Sequence, residues 1–198
     1  MEMLVLFILP VFSLEWIHHK LPLSGELVLT DIHAVISSQS VITAYATGEA
    51  GVLLKLRDPD PSSPPPPWSI ALDTSFPLYW YGVYSFDENH TLLSGFLDGS
   101  GKAYGIVQET FDGGETWTND TIIDKSQWGG GPIQFADELH GLMPSTSGSV
   151  MWRTTNGGHL AKDWEEVTPS EGNWHSGDFI FEKNWACCHS GVNALQLL

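Results

Sequence analysis

The chain has 198 residues, enough for one domain with a substantial core, and its 8 basic against 24 acidic residues give a formal net charge of −16 at pH 7. Because phosphate binding needs clustered Lys and Arg, this balance argues against nucleic acid and anionic membrane surfaces as partners and favours neutral or cationic ones. The 9 Trp and 20 Gly favour turns and aromatic packing over a helical bundle.

The chain opens on an apolar segment, MEMLVLFILPVFS. Its run from Met3 to Phe12 is too short for a membrane-spanning helix, which needs about 20 residues, but it has the length of the apolar region of a signal peptide. We therefore predict a signal peptide over residues 1–13, a mature chain without a membrane span, and secretion, with an organelle lumen as the alternative location. Glu2 stands where a signal peptide usually has Lys or Arg, and the same residues would also suit an apolar first strand.

Aromatic and aliphatic residues recur along the rest of the chain with one period. Three series show it: Trp68, Trp117 and Trp164; Ile36, Phe86, Phe135 and Phe181; and Trp80, Trp128 and Trp174. Neighbours within each series are about 46 to 50 residues apart, which indicates a structural repeat. The predicted units are residues 31–78, 79–127, 128–173 and a partial unit, 174–198.

The units share an internal order of short strands. An alternating segment such as DIHAVISS is followed by a second strand, and a third strand begins after a Gly and runs into an Asp or Asn turn. Period-two alternation with Gly, Asp and Asn between the segments predicts antiparallel strands, and four short strands per unit are typical of a propeller blade. We predict an all-β propeller of about four blades over residues 14–198, either a small closed ring or part of a larger propeller.

The turn after the third strand contains a recognisable motif. TFDGGETW matches the pattern S/T-x-D-x-G-x-T-W at Thr110, Asp112, Gly114, Thr116 and Trp117, and the next unit repeats it in part at Thr154, Asn156, Gly158 and Trp164. These residues resemble the BNR or Asp-box repeat, and among its families most resemble the photosystem II stability/assembly-factor-like repeats. That resemblance implies a non-catalytic propeller that binds partner proteins, whereas sialidases, xyloglucanase-type hydrolases and sortilin-like receptors are more distant.

The motif residues suit a structural role in a hairpin turn. The Asp112 carboxylate can accept backbone N–H groups of its own turn, the glycines allow positive φ, and the Trp can pack over the turn. We therefore predict that these residues hold the blade together and that none of them is catalytic.

Two kinds of enzyme are disfavoured by the residues present. A sialidase grips the carboxylate of its substrate with three arginines, and the chain has only Arg57 and Arg153. A xyloglucanase-like hydrolase needs two carboxylates facing each other across a cleft, and no pair stands out among the acidic residues. We predict a non-catalytic module that recognises a protein or a glycan, with a remnant of an Asp-box hydrolase as the alternative.

The third aromatic series supplies the candidate ligand-binding residues. Trp80, Trp128 and Trp174 each precede the first strand of a unit, and loops at corresponding positions of successive blades meet on one face of a propeller. Their rings could stack on sugars or hold apolar side chains of a partner. The alternative is that they pack between neighbouring blades.

Other features predict modification or argue against chemistry. The sequons at Asn89 and Asn119 predict N-glycosylation if the chain is secreted. Cys187 and Cys188 are adjacent and suit small buried residues of a strand. Without spaced Cys and His ligands, we expect no metal and no cofactor.

Overall fold

The computed structural model describes residues 2–8, 14–22, 28–60, 66–73, 78–99, 102–118, 121–123, 130–145, 150–167, 174–181, 184–189 and 195–197. Side chains are described within residues 21–22, 28–60, 66–72, 78–98, 104–118, 130–145, 150–160 and 162–167.

The described chain is built from antiparallel sheets that follow one another in sequence. A hairpin of β1 (Glu2–Ile8) and β2 (Leu14–Lys20) comes first. Sheet 1 contains β3 (Leu29–Ile36), β4 (Ile42–Gly48), β5 (Val52–Asp58) and β6 (Ser69–Asp73); sheet 2 contains β7 (Leu78–Ser85), β8 (Thr91–Gly99), β9 (Lys102–Thr110) and β10 (Thr121–Ile123). Sheet 3 contains β11 (Gln134–Phe135), β12 (Gly141–Pro144), β13 (Met151–Thr154) and β14 (Trp164–Glu166); sheet 4 contains β15 (Trp174–Phe181), β16 (Asn184–His189) and β17 (Leu195–Leu197). Two short 3-10 helices, η1 (Glu49–Gly51) and η2 (Ala161–Asp163), lie in connections.

Three consecutive sheets have four strands each, paired in chain order, and this confirms the prediction of four-stranded antiparallel units. The signal peptide remains a prediction, because the pairing of residues 2–8 with residues 14–20 does not test cleavage. Within the described residues no helix has both the length and the apolar character needed to cross a bilayer.

Alternate residues of the strands form different layers of the core. On β8, Leu92 belongs to a cluster between sheets 2 and 3 with Phe135, Met143 and Trp152, whereas its neighbour Leu93 belongs to the cluster between sheets 1 and 2. Both leucines are fully buried. Successive side chains of a strand point to opposite faces, so a sheet covered on both faces buries every residue of its central strands. The sheets are therefore stacked face to face along the chain.

The first strand of sheets 1, 2 and 4, and the segment just before the first strand of sheet 3, contain one extra residue. The register shifts between Leu29 and Asp31 in β3, between Trp80 and Gly82 in β7, and between Trp174 and Ser176 in β15, so Thr30, Tyr81 and His175 are the extra residues. In sheet 3, an isolated bridge pairs Gly130 with Ser145, and the next pair joins Gln134 to Leu142. These two pairs are four residues apart on the first strand's side and three apart on β12's side, so one extra residue is present here too. A β-bulge bends its strand and redirects a side chain, so this position is a repeated structural feature.

Candidate interaction site

The first predicted box turn, residues 110–117, is closed by hydrogen bonds of its own side chains. The Thr110 hydroxyl donates to Asp112 Oδ1 (2.8 Å) and accepts the N–H of Gly114 (2.8 Å). Asp112 also accepts the Thr116 hydroxyl (2.5 Å) and the Thr116 N–H (2.9 Å). These bonds, led by the one from the Thr116 hydroxyl, lower the pKa of Asp112 to about 2. The carboxylate is occupied by its own turn, as an Asx-type structural role requires.

Glycines at this turn adopt the left-handed conformation. Gly113 and Gly114 have φ of +72° and +89°, a region that side chains with a Cβ disfavour. The Trp117 ring is partly buried and meets the Tyr45 ring of sheet 1 edge-on, with centroids 6.3 Å apart.

The second box turn replaces the missing carboxylate with one from farther along the chain. Thr154 donates to the side-chain oxygen of Asn156 (3.0 Å), and the Asn156 amide donates to Asp163 Oδ1 (3.0 Å). The indole N–H of Trp164 donates to the carbonyl of Gly158 (2.8 Å). The three extra residues before Trp164 therefore bring Asp163 into the turn, a role that the motif pattern did not predict.

Both box turns also join neighbouring sheets. Tyr45 and Lys55 of sheet 1 donate to the carbonyl of Gly113 at 2.6 Å and 2.5 Å. At the next junction, the buried Glu109 carboxylate lies 2.6 Å from a ring nitrogen of His90 and 2.8 Å from one of His159. Because these contacts tie each turn to the preceding sheet, the end of the sheets that bears the turns, here called the box end, has a structural role.

The predicted tryptophan series is divided by the structure. Trp80 is fully buried between sheets 1 and 2 beside Tyr45, Leu53 and Val83, which is the placement that the packing alternative expects. Trp174 begins β15, but its side chain lies outside the described residues, as does the whole of Trp128. By register the counterpart of Trp80 in sheet 3 is Gly130, two residues after Trp128. Ligand binding by Trp128 and Trp174 stays a prediction.

The predicted glycosylation sites also differ in what the structure describes. Asn89 is exposed in the turn between β7 and β8, while Asn119 lies outside the described residues. Cys187 and Cys188 are both in β16, and their side chains lie outside the described residues. Glycosylation and the burial of the cysteines stay predictions.

An aromatic stack occupies the opposite end of sheet 2. Tyr79 is paired with Phe96 across the two strands, and the rings stack with centroids 4.8 Å apart and an interplanar angle of 15°. The bulge brings Tyr81 onto the same ring, at 5.6 Å and 26°. All three side chains are partly exposed, although the intervening Trp80 is fully buried. Tyr79 and Tyr81 are two positions apart in β7, and the register shift between Trp80 and Gly82 leaves both rings in contact with the single Phe96 ring of β8.

The residue opposite the bulge has no room for a side chain. A Cβ on Gly95 would lie 2.1 Å from the carbonyl oxygen of Tyr79 and 3.0 Å from the Trp80 ring. Glycine is thus required where β8 passes the bulged segment of β7.

The start of β3 is fastened to this segment of β7. Thr30, the bulge residue of sheet 1, donates to the carbonyl of Trp80 (2.7 Å). Asp31 accepts the N–H of Val83 (3.0 Å) through Oδ2 and the N–H of Ile32 (2.9 Å) through Oδ1. Burial raises the pKa of Asp31, although its two backbone hydrogen bonds oppose the shift. A cavity of about 280 Å³ is lined by residues 29–32 and Ala46.

Acidic groups accompany the aromatic stack. Burial, followed by the nearby negative charge of Glu49, raises the pKa of Tyr81. Glu49 and Asp98 are exposed. We call the set of Asp31, Glu49, Tyr79, Tyr81 and Phe96 the bulge surface.

The described basic side chains lie near the other end. They are Lys55, Arg57, Arg153 and Lys162. Lys55 and Arg57 lie in the last four residues of β5, Arg153 precedes Asn156 by three residues, and Lys162 lies in η2 beside the second box turn. Aromatic and acidic groups thus occupy the bulge surface, and the basic groups whose side chains are described lie near the box end.

Comparisons with known proteins support the fold. No protein-family model and no curated protein matches the chain. Among solved structures, the chain is similar to YCF48 bound to D1 peptide, with a TM-score of 0.56, 18% identity, and coverage of 89% of this chain and 54% of that one. It is also similar to YCF48 from Cyanidioschyzon merolae, with a TM-score of 0.51, 14% identity, and coverage of 83% and 48%. The fold is all-β and propeller-like. The chain spans about half the length of these structures.

The bulge surface was not predicted from the sequence. Its one visible signal is the cluster YWY at residues 79–81, from which only Trp80 was selected because it fits the repeat period. Asp31 carries no motif, and its position against Val83 depends on the packing of two sheets.

Proposed function

We propose that this chain is a non-catalytic, propeller-like module that binds a protein partner through the bulge surface. The observation on which the proposal depends is the partly exposed stack of Tyr79 and Tyr81 on Phe96. Aromatic side chains bury a large area at little conformational cost and are enriched among the residues that dominate protein interfaces. A stack already ordered by its own strands loses little entropy on binding.

One of the similar structures supports a peptide-like partner. That protein, YCF48, is bound to a D1 peptide. We extend this to the present chain as part of the proposal, together with a role similar to that of a photosystem II assembly factor and the assignment of residues 110–117 and 154–164 as Asp-box repeats. The two similar structures lend no support to a glycan ligand or to a glycoside hydrolase.

The location belongs to the same proposal. A signal peptide over residues 1–13 would place the mature chain outside the cell or in an organelle lumen. N-terminal sequencing of the protein recovered from its compartment tests this, because an intact Met1 in the mature protein would contradict it.

Binding of a labelled D1 peptide, followed by fluorescence anisotropy, tests the interaction. We expect Tyr81→Ala and Phe96→Ala each to weaken binding by about tenfold or more, since truncation of a central aromatic residue costs about 2 kcal/mol. Phe111→Ala is the matched control, because Phe111 is an exposed aromatic residue at the box end. Unchanged affinity in the Tyr81 and Phe96 variants, or no binding by the folded chain, would overturn the proposal.

A further inference from the structure

The second box turn contains the single Asn-Gly pair of the sequence, Asn156-Gly157. An asparagine is chemically labile because the backbone nitrogen of the next residue can attack its side-chain carbon, Cγ. A glycine at the next position has no Cβ to obstruct this attack, so asparagine reacts fastest in an Asn-Gly pair. Asn156 is also exposed, so the water that completes the reaction reaches it. Sequence and exposure therefore indicate a site of spontaneous deamidation.

The closed turn holds the atoms that this reaction needs. The Gly157 nitrogen, which would attack, donates its N–H to the carbonyl of Leu139 (3.0 Å), and Gly157 is buried. The side-chain oxygen of Asn156 accepts the Thr154 hydroxyl (3.0 Å), and the amide nitrogen, which would leave, donates to Asp163 Oδ1 (3.0 Å). These three hydrogen bonds fix the reacting atoms in the geometry of the turn, so the reaction requires the turn to open locally.

Asp163 makes the product of the reaction unfavourable in this turn. The Asp163 carboxylate is fixed, because its other oxygen accepts the Leu160 N–H (2.9 Å). After deamidation of Asn156 an oxygen takes the place of the donor nitrogen, and two carboxylates then lie side by side with no proton between them. In the first box turn, by contrast, the Asp112 carboxylate meets hydroxyl and N–H donors of its own turn. An aspartate at position 156 would therefore complete the box motif in the sequence while destabilising this particular turn.

We propose that Asn156 is a deamidation site that the second box turn protects while it is closed, and that the conversion weakens the turn once it has occurred. A brief opening of the turn is thereby made permanent, because the product no longer donates to Asp163. This inference concerns the box end and does not depend on the proposed function.

The reaction needs only the chain and water. The Gly157 nitrogen forms a bond to Asn156 Cγ, the bond from Cγ to Nδ2 breaks, and ammonia leaves with the proton of the Gly157 nitrogen. Water then opens the cyclic imide at one of its two carbonyls, which gives aspartate or isoaspartate. Aspartate places its charge against Asp163, and isoaspartate adds one carbon to the main chain of the turn, so both products oppose closure.

Peptide mapping of the full chain tests the protection. The protein is incubated at neutral pH in buffer and in guanidinium chloride and is then digested with trypsin, which cuts after Arg153 and Lys162. The peptide 154–162 contains Asn156 as its only asparagine, and mass spectrometry detects the mass gain from amide to acid. We expect conversion in buffer to be slower by about tenfold or more, because three hydrogen bonds must break first. Asn89, which is exposed in a turn but followed by His90, is the internal control and should stay unconverted.

Two outcomes of this experiment overturn the inference. Equal rates in buffer and in guanidinium chloride would show that the closed turn gives no protection. Conversion of Asn156 in guanidinium chloride no faster than that of Asn89 would show that the pair is not a deamidation site.

A matched pair of substitutions assigns the protection to the second box turn. Thr154→Val removes the hydroxyl that donates to Asn156 and should speed conversion in buffer by about fivefold, while leaving the rate in guanidinium chloride unchanged. Thr110→Val removes the corresponding hydroxyl of the first box turn and should not speed it. Faster conversion in Thr110→Val than in Thr154→Val would mean that the reaction requires global unfolding, and it would overturn protection by the turn.

The effect of the product is tested with Asn156→Asp. This variant should unfold at a urea midpoint lower by about 0.5 M at neutral pH. The difference should shrink towards about pH 4, where one proton shared by the two carboxylates relieves their repulsion. Adding Asp163→Asn exchanges donor and acceptor and should restore the midpoint. An unchanged midpoint in Asn156→Asp, or no recovery in the double variant, overturns the effect assigned to Asp163; if Asn156→Asp does not fold, the double variant decides.

Discussion

Removal of a single buried hydroxyl tests how the box turns are stabilised. Thr110 is 1% exposed, and its hydroxyl donates to Asp112 while accepting the N–H of Gly114. Thr110→Val keeps the shape of the side chain but leaves that N–H, in a half-buried turn, without its acceptor. An unsatisfied buried donor costs about 1–3 kcal/mol, so we expect the free energy of unfolding to fall by about 2 kcal/mol.

The second box turn provides a matched comparison. Thr154 is equally buried, but its hydroxyl donates to a neutral amide oxygen, on Asn156, at 3.0 Å. Its acceptor contact, with the Asn156 N–H, is long at 3.3 Å. A single neutral hydrogen bond contributes about 1 kcal/mol, so Thr154→Val should be about half as costly as Thr110→Val.

Equilibrium unfolding in urea, followed by tryptophan fluorescence, measures both variants. With a denaturant slope of about 1–3 kcal/mol per molar urea, a loss of about 2 kcal/mol shifts the midpoint by about 1 M. If Thr154→Val lowers the free energy of unfolding as much as Thr110→Val or more, then the charged acceptor Asp112 and the hydrogen bond from Gly114 do not make the first turn more stable than the second. That result would contradict a stabilising role for the Thr110 hydroxyl in the first box turn.

Three further predictions concern pH and backbone space. His33 accepts the Ser85 N–H (3.1 Å) at Nδ1, and burial lowers the pKa of His33 below 6.5. The stability of the fold should therefore decrease as the pH drops below about 6.5. His33→Asn should flatten this pH dependence in thermal unfolding curves. The turn's hydrogen bonds lower the pKa of Asp112 to about 2 in the fold, so the stabilisation from this carboxylate is complete above pH 3.8 and is lost as the pH falls through about 2. If stability plotted against pH for Asp112→Asn runs parallel to that of the unsubstituted chain over this interval, the turn geometry is contradicted. Gly95→Ala should cost about 1–3 kcal/mol, because the added methyl would meet the Tyr79 carbonyl. It should also disturb the Tyr79–Phe96 stack, which a change in near-UV circular dichroism would report.

The sequence predicted the strand order and the turns because both are encoded locally. Period-two alternation, a Gly before each third strand and the box pattern depend on residues close together in the chain, and the sheets follow that order. The positive φ at Gly113 and Gly157 is likewise expected from glycine at those positions of the turn.

The candidate site could be predicted only in part because it depends on burial and register. The repeat period indicated Trp80 as a candidate, yet it does not reveal which face of the strand is covered, and the ring is enclosed by residues of two sheets. A one-residue bulge has no signature in the spacing, so the stacking of Tyr81 on Phe96 was not expected.

Local patterns in the sequence are sufficient to predict short antiparallel strands in repeated units, closed by box turns whose side chains bond to their own backbone. The burial of Trp80, and the position of Tyr79, Tyr81 and Asp31 at one end of neighbouring sheets, arise only when the sheets pack. The difference lies in the range of the interactions. Turns and alternation arise between residues a few positions apart, whereas the contact of Asp31 with Val83 joins positions 52 residues apart and exists only once the sheets have packed.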